Sequence, residues 1–319
     1  MSPSTPPFAL ARFRAGDDIR LGLVAGERIR PLPPEELGAA SLNAFLAAPD
    51  WDRIRALCAM VDGWRPLAEA TLTAPVEPRQ VVQTGANYRT HVIDLVMAGR
   101  ADDGRPEAEV REEVGRMMDA RRAHGEPYFF IGLPACVVGD DVPLALPAYS
   151  DQHDWELELA VVIGREAFRV SREDALSHVA GYTIVNDITT RDRVFRTDAG
   201  GLGADWYRSK NAPGFLPTGP LLVPAPFVDP ADLAVRLELN GDVMQDASTT
   251  DLLFDVPALI AGASWNMPLL PGDLLLTGSP AGNGAHWGRL LRPGDVMVGS
   301  IEGLGSQTVR CIAEDDRPR

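Results

Sequence analysis

The sequence predicts an α+β protein rich in β-structure: a small N-terminal α+β domain ahead of a larger domain built as a mixed β-sandwich or roll. Three observations carry that expectation. From Gln80 onward short apolar runs alternate with Gly/Pro turns, the texture of many short strands. Helical periodicity is confined to a few stretches. Pro75 and Pro78 stand between the two regions and read as a linker, which puts the boundaries at 1–76 and 77–319.

The N-terminal region opens with three short strands, Phe8–Arg14, Arg20–Val24 and Arg28–Leu32, separated by Gly16-Asp17 and Gly26-Glu27 turns. A helix is expected over Leu42–Leu57, capped by Ser41 or Asn43 and ended by Asp62-Gly63 and Pro66. Beyond the linker, strands are expected at Val81–Gln83, Cys136–Val138, Glu156–Ile163, Gly181–Asn186, Leu221–Val223, Ala234–Leu239, Asp273–Thr277 and Val296–Ile301. Two short helices are expected at Ser171–His178, which opens Ser-Arg-Glu-Asp in the manner of a capping box, and at Pro257–Ser264. The charged stretch Ala98–Glu126 starts in a Gly/Asp-rich loop. Pro106 then suits helix position N1, and Val110, Val114, Met117 and Met118 follow at helical spacing. It reads as a surface helix packed on the core or, with 95–126 taken together, as a lid over a site. No period of solenoid type is present.

Composition narrows the class. At 45% hydrophobic and 24% charged, 319 residues suit a globular enzyme-sized chain. No apolar run approaches the ~20 residues of a membrane span, so no membrane partner is expected. The first residues show no basic segment followed by an apolar one, which points to the cytoplasm. Cys58, Cys136 and Cys311 are too scattered for a zinc or redox motif and read as buried thiols. A formal charge of −15 excludes nucleic acid as a natural partner. An anionic substrate would therefore need positive charge supplied locally by a metal, Arg or Lys.

The chemistry concentrates at Glu156 and Glu158. They stand two apart in an otherwise apolar, half-buried strand, so their side chains share a face. Adjacent carboxylates repel, and each makes the other harder to ionise; a cation over the pair would relieve this. Asp187, at the end of the strand Gly181–Asn186, is the natural third acid. Three carboxylates make a hard-oxygen site that favours Mg²⁺ or Mn²⁺, with Ca²⁺ as a further choice, and the lack of Cys or His at ligand spacing argues against zinc. By itself a Glu-x-Glu strand is also the pattern of a solvated sheet face.

Read in order, the motifs resemble the fumarylacetoacetate hydrolase family over roughly residues 80–315. They are Asp154-Trp155-Glu156-Leu157-Glu158-Leu159, Gly181-Tyr182-Thr183 with Asn186-Asp187 and Arg191, Trp206-Tyr207-Arg208-Ser209-Lys210 with Gly219-Pro220, Asn240-Gly241 with Gln245, Leu270-Pro271-Gly272-Asp273, Thr277-Gly278-Ser279-Pro280-Ala281-Gly282, and Ile301-Glu302-Gly303-Leu304-Gly305. The resemblance implies a fumarylacetoacetate hydrolase-like β-rich roll, a homodimer, and a metal held by Glu156, Glu158 and Asp187. The segment Gly85-Ala86-Asn87-Tyr88-Arg89-Thr90-His91-Val92-Ile93-Asp94 resembles the family's G-x-N-Y-x-x-H-x-x-E, whose His–acid dyad activates water. Three apart on a helix, His91 and Asp94 would share a face. Lys210 is the expected stabiliser of developing negative charge. Tyr88, Arg191, Gly278 and Ser279 are the expected substrate contacts, with Arg191 clamping a carboxylate or holding the metal loop.

Four departures stand out. Asp94 replaces the usual Glu, and Ser279 a Thr. Gly132 sits where many members carry the Lys of F-x-K, and Pro213 where many carry Asp. The reading that follows is a divalent-metal-dependent hydrolase. It would cleave a C–C bond of a small anionic β-diketo or 2-oxo acid, of acylpyruvate or fumarylacetoacetate type, through a metal-bound enolate, as in aromatic catabolism. Isomerisation, decarboxylation or dehydration of a related 2-oxo acid is the alternative. The contrasting class is a ligand-binding protein without turnover.

Overall fold

The computed structural model describes residues 6–60, 62–98, 104–198 and 200–317. Its centre is a six-stranded mixed sheet in the order Val223–Pro224, Val179–Asn186, Leu157–Ile163, Leu274–Leu276, Val81–Gly85, Tyr128–Gly132. Leu274–Leu276 and Val81–Gly85 run parallel, and the other neighbours are antiparallel. A five-stranded sheet, in the order Asp242–Ser248, Ala234–Leu239, Val296–Ile301, Gly305–Ala313, Leu144–Leu146, packs against it. A third, antiparallel sheet is made of Arg65–Pro66, Arg28–Pro31, Asp18–Ala25, Ala9–Ala15 and Leu72–Thr73.

Leu157–Ile163 is buried on both faces, not half-buried as its pattern suggests. Leu157, Leu159, Val161 and Ile163 join the core shared with Val235, Leu237 and Met297 of the five-stranded sheet. Ala160 and Val162 join a second core with Phe8, Leu10, Leu46 and Ile54. Each large side chain buried here contributes roughly 1.5–3 kcal/mol, so the strand is held from both of its faces. It is also the strand that carries Glu158. The N-terminal sheet is joined to the central one by reciprocal backbone hydrogen bonds between Leu10 and Leu222, at 2.9 and 2.8 Å.

Several expected elements end elsewhere, for local reasons. The single helix over 42–57 is two, Leu42–Leu46 and Trp51–Leu57. Ser41 caps the first. Pro49 then disfavours continuation, and the Asp50 carboxylate accepts from the Arg53 N–H at 2.9 Å to start the second. The long charged helix is Glu107–His124, with Pro106 extended at the N-cap instead of inside at N1. Only Ala175–His178 of the 171–178 segment is helical, as a 3₁₀ turn, while the Ser171 hydroxyl and Asp174 close a separate turn. Residues 134–138 form a 3₁₀ turn followed by a two-residue strand on Leu216–Pro217. The strand expected at Leu221–Val223 is Val223–Pro224, and Pro257–Ser264 lies inside the helix Val256–Asn266.

Asp273 shows how a motif can be wholly architectural. Its buried carboxylate accepts from the backbone N–H groups of Arg79, Gln80 and Leu270 at 3.1, 3.0 and 2.7 Å, and from Gln80 Nε2 at 2.6 Å. It ties Arg79 and Gln80 to the turn that leads into Leu274–Leu276. No described helix is long and apolar enough to cross a membrane. The three cysteines are free, and burial pushes the Cys136 and Cys311 thiols up to about 11 and about 12.

Close strand approach supplies a test of this core. Gly181 lies beside Val223–Pro224, and a Cβ there would fall well inside contact distance of the Val223 carbonyl oxygen. Gly181→Ala is expected to cost about 1–3 kcal/mol and lower the melting temperature. Gly201→Ala, with nothing within 4 Å of its Cβ position, should leave calorimetric melting unchanged.

Candidate active site

Strand register assembles the three acids. Leu157 pairs with Asn186 and Glu158 with Val185, which leaves Glu156 and Asp187 adjacent at the same end of the two strands. Glu156 lies just outside the ladder, between His153–Asp154 and Leu157–Ile163. Its N–H donates to Asn186 Oδ1 at 2.9 Å, and its carbonyl accepts from the Asp187 N–H at 2.8 Å. Carboxylate oxygens of Glu156, Glu158 and Asp187 all come within 4.8 Å of one another.

Two cations face these acids. Lys210, buried at the end of the short helix Trp206–Lys210, donates to Glu156 Oε2 and Asp187 Oδ2, both at 2.6 Å. Arg191 donates to Asp154 Oδ2 at 2.7 Å and forms an ion pair of 2.7 Å with Glu156. Burial works against ionisation of Glu156, but the charges of Lys210 and Arg191 outweigh it and hold this carboxyl below its ordinary range. Glu158 has no ion-pair partner among the described residues. Burial first, then the charges of Asp187 and Glu156, push it well above the ordinary range, against only a Gly278 N–H bond of 2.7 Å and the charge of Lys210. Burial also raises Asp187, with Lys210 opposing.

Two fixed cations, Lys210 and Arg191, are shared among Glu156, Asp187, Glu158 and the neighbouring Asp154, and Glu158, which has neither as an ion-pair partner among the described residues, is driven toward its protonated form. A divalent cation can take the place of that proton. The donor set is all hard oxygen, which suits Mg²⁺, Mn²⁺ or Ca²⁺. The residues present therefore fit such an ion.

The helix Arg89–Ala98 carries His91. Burial lowers the His91 pKa, with the Glu156 charge opposing and Arg191 reinforcing, so the imidazole is neutral near pH 7. The expected pairing with Asp94 does not form. Asp94 Oδ1 accepts instead from Arg111 Nη1, at 2.9 Å, on the neighbouring helix Glu107–His124. The two residues are one turn apart, but the short Asp arm is drawn outward to a guanidinium. The same helix is fastened by Arg89–Asp119 bonds of 2.8 and 3.0 Å, and by Arg121 and Arg122 donating to the Ala86 and Leu252 carbonyls. It thus lies against the His91 helix; residues 99–103, the loop expected before it, are outside the described residues.

The four expected substrate contacts divide. Tyr88 is fully buried, its hydroxyl has no partner among the described residues, and burial with the nearby Glu158 charge raises its pKa. Arg191 is committed to Asp154 and Glu156. The Gly278 N–H is committed to Glu158, and a Cβ there would lie 2.9 Å from that of Asn87. Ser279 Oγ accepts from Gln245 Nε2 at 2.9 Å and donates to the Pro280 carbonyl at 3.2 Å. Two contributors escaped the sequence reading. Asp154 is fully buried and, besides Arg191, accepts from the N–H groups of Trp155, Gly284 and Ala285. Gln83 Nε2 donates to Asp187 Oδ1 at 2.5 Å. Asp154 stands in the quoted motif and Gln83 is a polar residue in an apolar strand, so both signals were present.

Opposite effects are expected from two substitutions. Lys210→Met leaves Asp187 without its cation and Glu156 with Arg191 alone, and should destabilise the metal-free protein by roughly 3–5 kcal/mol in urea titration. Glu158→Gln removes the least compensated charge, so metal-free stability should hold or rise, while calorimetric affinity for Mn²⁺ falls about 100-fold or more.

Comparison with known proteins places this arrangement. The family model for the fumarylacetoacetate (FAA) hydrolase C-terminal region matches residues 80–311. The mitochondrial oxaloacetate tautomerase of Xenopus laevis is 39% identical over 160 residues, 50% of this chain and 49% of that one. The structure of a fumarylacetoacetate hydrolase from Exiguobacterium antarcticum superposes with a TM-score of 0.75 at 30% identity, covering 96% of this chain and 99% of that one. The maleylpyruvate hydrolase of Sphingobium, solved with manganese(II) and pyruvate, gives 0.71 at 30% identity with the same coverage. The family-model match over residues 80–311 and the shared β-rich α+β fold make the chain a member of the fumarylacetoacetate hydrolase family.

Proposed function

We propose that the protein is a divalent-metal-dependent enzyme that interconverts the keto and enol forms of a small anionic 2-oxo acid by proton transfer. The observation that carries this reading is a buried, neutral His91 within electrostatic reach of Glu156 and without a carboxylate of its own. Such an imidazole is suited to take and return a proton near neutral pH. Likeness to an oxaloacetate tautomerase supports the same class.

Glu156, Glu158 and Asp187 would hold the ion, which when bound supplies Lewis-acid polarisation of the 2-oxo group. Lys210, already among the acids, would offer its positive charge to the oxygen on which negative charge develops. Tyr88 would donate its unpartnered hydroxyl to the substrate. Arg191 would serve by fixing Glu156, and Gly278 by fixing Glu158, in place of the direct substrate contacts expected from their motifs. Burial of Glu158 and Asp187 limits the access of water to those two acids.

A second reading, C–C hydrolysis of an acylpyruvate or fumarylacetoacetate, is favoured by the position of Asp94 one turn from His91 and by the maleylpyruvate hydrolase likeness. It would require Asp94 to exchange Arg111 for His91. His91 would then take a proton from water, and the water oxygen would bond to the distal carbonyl. The adjacent C–C bond would break with its electron pair left on the pyruvate fragment.

Oxaloacetate tautomerisation followed by ultraviolet absorbance, with Mg²⁺ or Mn²⁺ present, separates these readings from each other when run beside pyruvate release from acylpyruvates. Tautomerisation without pyruvate release is expected. His91→Ala should lower kcat about 10²–10⁴-fold; unchanged turnover would remove His91 from the mechanism. Because burial depresses the His91 pKa, kcat/KM should keep its plateau to more acidic pH than an ordinary His allows. No turnover on any 2-oxo acid by Mn²⁺-loaded protein would instead point to a binding protein.

A further inference from the structure

We infer that Gln83 is a positioning residue for Asp187, and that Gly132 lacks a side chain because the Gln83 amide occupies its space. Gln83 is 1% exposed in the strand Val81–Gly85. Its Nε2 donates to Asp187 Oδ1 at 2.5 Å, while Lys210 takes Asp187 Oδ2. The two carboxylate oxygens are thus held from opposite sides by separate elements, which fixes the plane of the group. The reversed amide would set oxygen against carboxylate oxygen, so the donor orientation follows from chemistry.

Gly132 lies on the adjacent strand Tyr128–Gly132, where Phe130 is the direct partner of Gln83 and Gly132 its diagonal neighbour. A Cβ at 132 would stand 2.6 Å from Gln83 Oε1 and 3.0 Å from Cδ. No low-energy side chain fits there while the amide keeps its place. Gln83 Oε1 is buried with no hydrogen-bond partner among the described residues; an orphaned acceptor of this kind costs roughly 1–3 kcal/mol. The amide bears that cost at one end while its other end holds Asp187. Gln83 carries no charge, so it orients Asp187 without adding a third cation to the site.

This inference rests on the metal reading of the triad, and the experiment separates the two. In titration calorimetry with Mn²⁺, Gln83→Met is expected to bind about ten-fold more weakly than wild type. Gly132→Ala should show a similar loss, and the double variant no more than Gln83→Met alone. Equal Mn²⁺ affinity of Gln83→Met and wild type would overturn the role of Gln83. Additive losses in the double variant would overturn the link to Gly132. If wild type binds no Mn²⁺, the metal reading fails and melting of the metal-free proteins decides. There the shifts of Gln83→Met and Asp187→Asn should fall short of additivity by more than about 2 °C, and additive shifts would overturn the inference.

Discussion

The pairing of Leu157–Ile163 with Val179–Asn186 is the constraint on which the site depends. Side-chain alternation makes a register unforgiving: a slip of one residue would send Glu158 into the opposite core and replace it with an apolar group. The two hydrophobic cores on either face of Leu157–Ile163 prevent that slip. They also carry three acids into a region where ionisation is unfavourable. The strain is electrostatic, and Lys210 and Arg191 relieve it only in part, leaving Glu158 as the group with most to gain from an added cation.

Around this rigid centre the remaining groups differ in how firmly they are held. Asp154, Arg191, Asn186, Gly278 and Gln83 reach the acids through short bonds from strands and buried loops. His91 and Asp94 sit on a helix whose neighbour, Glu107–His124, is held by the buried side chains of Val110, Val114 and Met118 and by the ion pairs Arg89–Asp119 and Arg111–Asp94. Exposed pairs contribute little each and weaken with salt. The groups that would hold a cation are therefore fixed by buried hydrogen bonds, whereas the helix that carries His91 is tied in part by ion pairs at the surface.

Much of the site was legible in the sequence because its signals were local. Two carboxylates in an apolar strand violate the ordinary pattern, and Asp187 ends a second such strand. The order of the motifs added Lys210 and Arg191. What was not legible depended on contacts between distant segments. Asp94 and His91 have the spacing of a dyad, but Arg111, seventeen residues on, competes for the carboxylate. Gly132 read as a missing lysine; only its neighbour strand shows that Gln83 fills the place. Gly278 read as a substrate loop, while its N–H and its φ of +93° serve Glu158 and the approach of Asn87.

The sequence by itself determined which strands are apolar, where turns break them, and which acids are too costly to bury without a cation. Those properties follow from residue type and from the two-residue period of a strand. Tertiary structure decided which donor each acid receives, because hydrogen bonds and ion pairs are settled by distances of tenths of an ångström between segments far apart in the chain. It decided the burial of Leu157–Ile163 on both faces, the diversion of Asp94 to Arg111, and the fixing of Asp187 between Gln83 and Lys210.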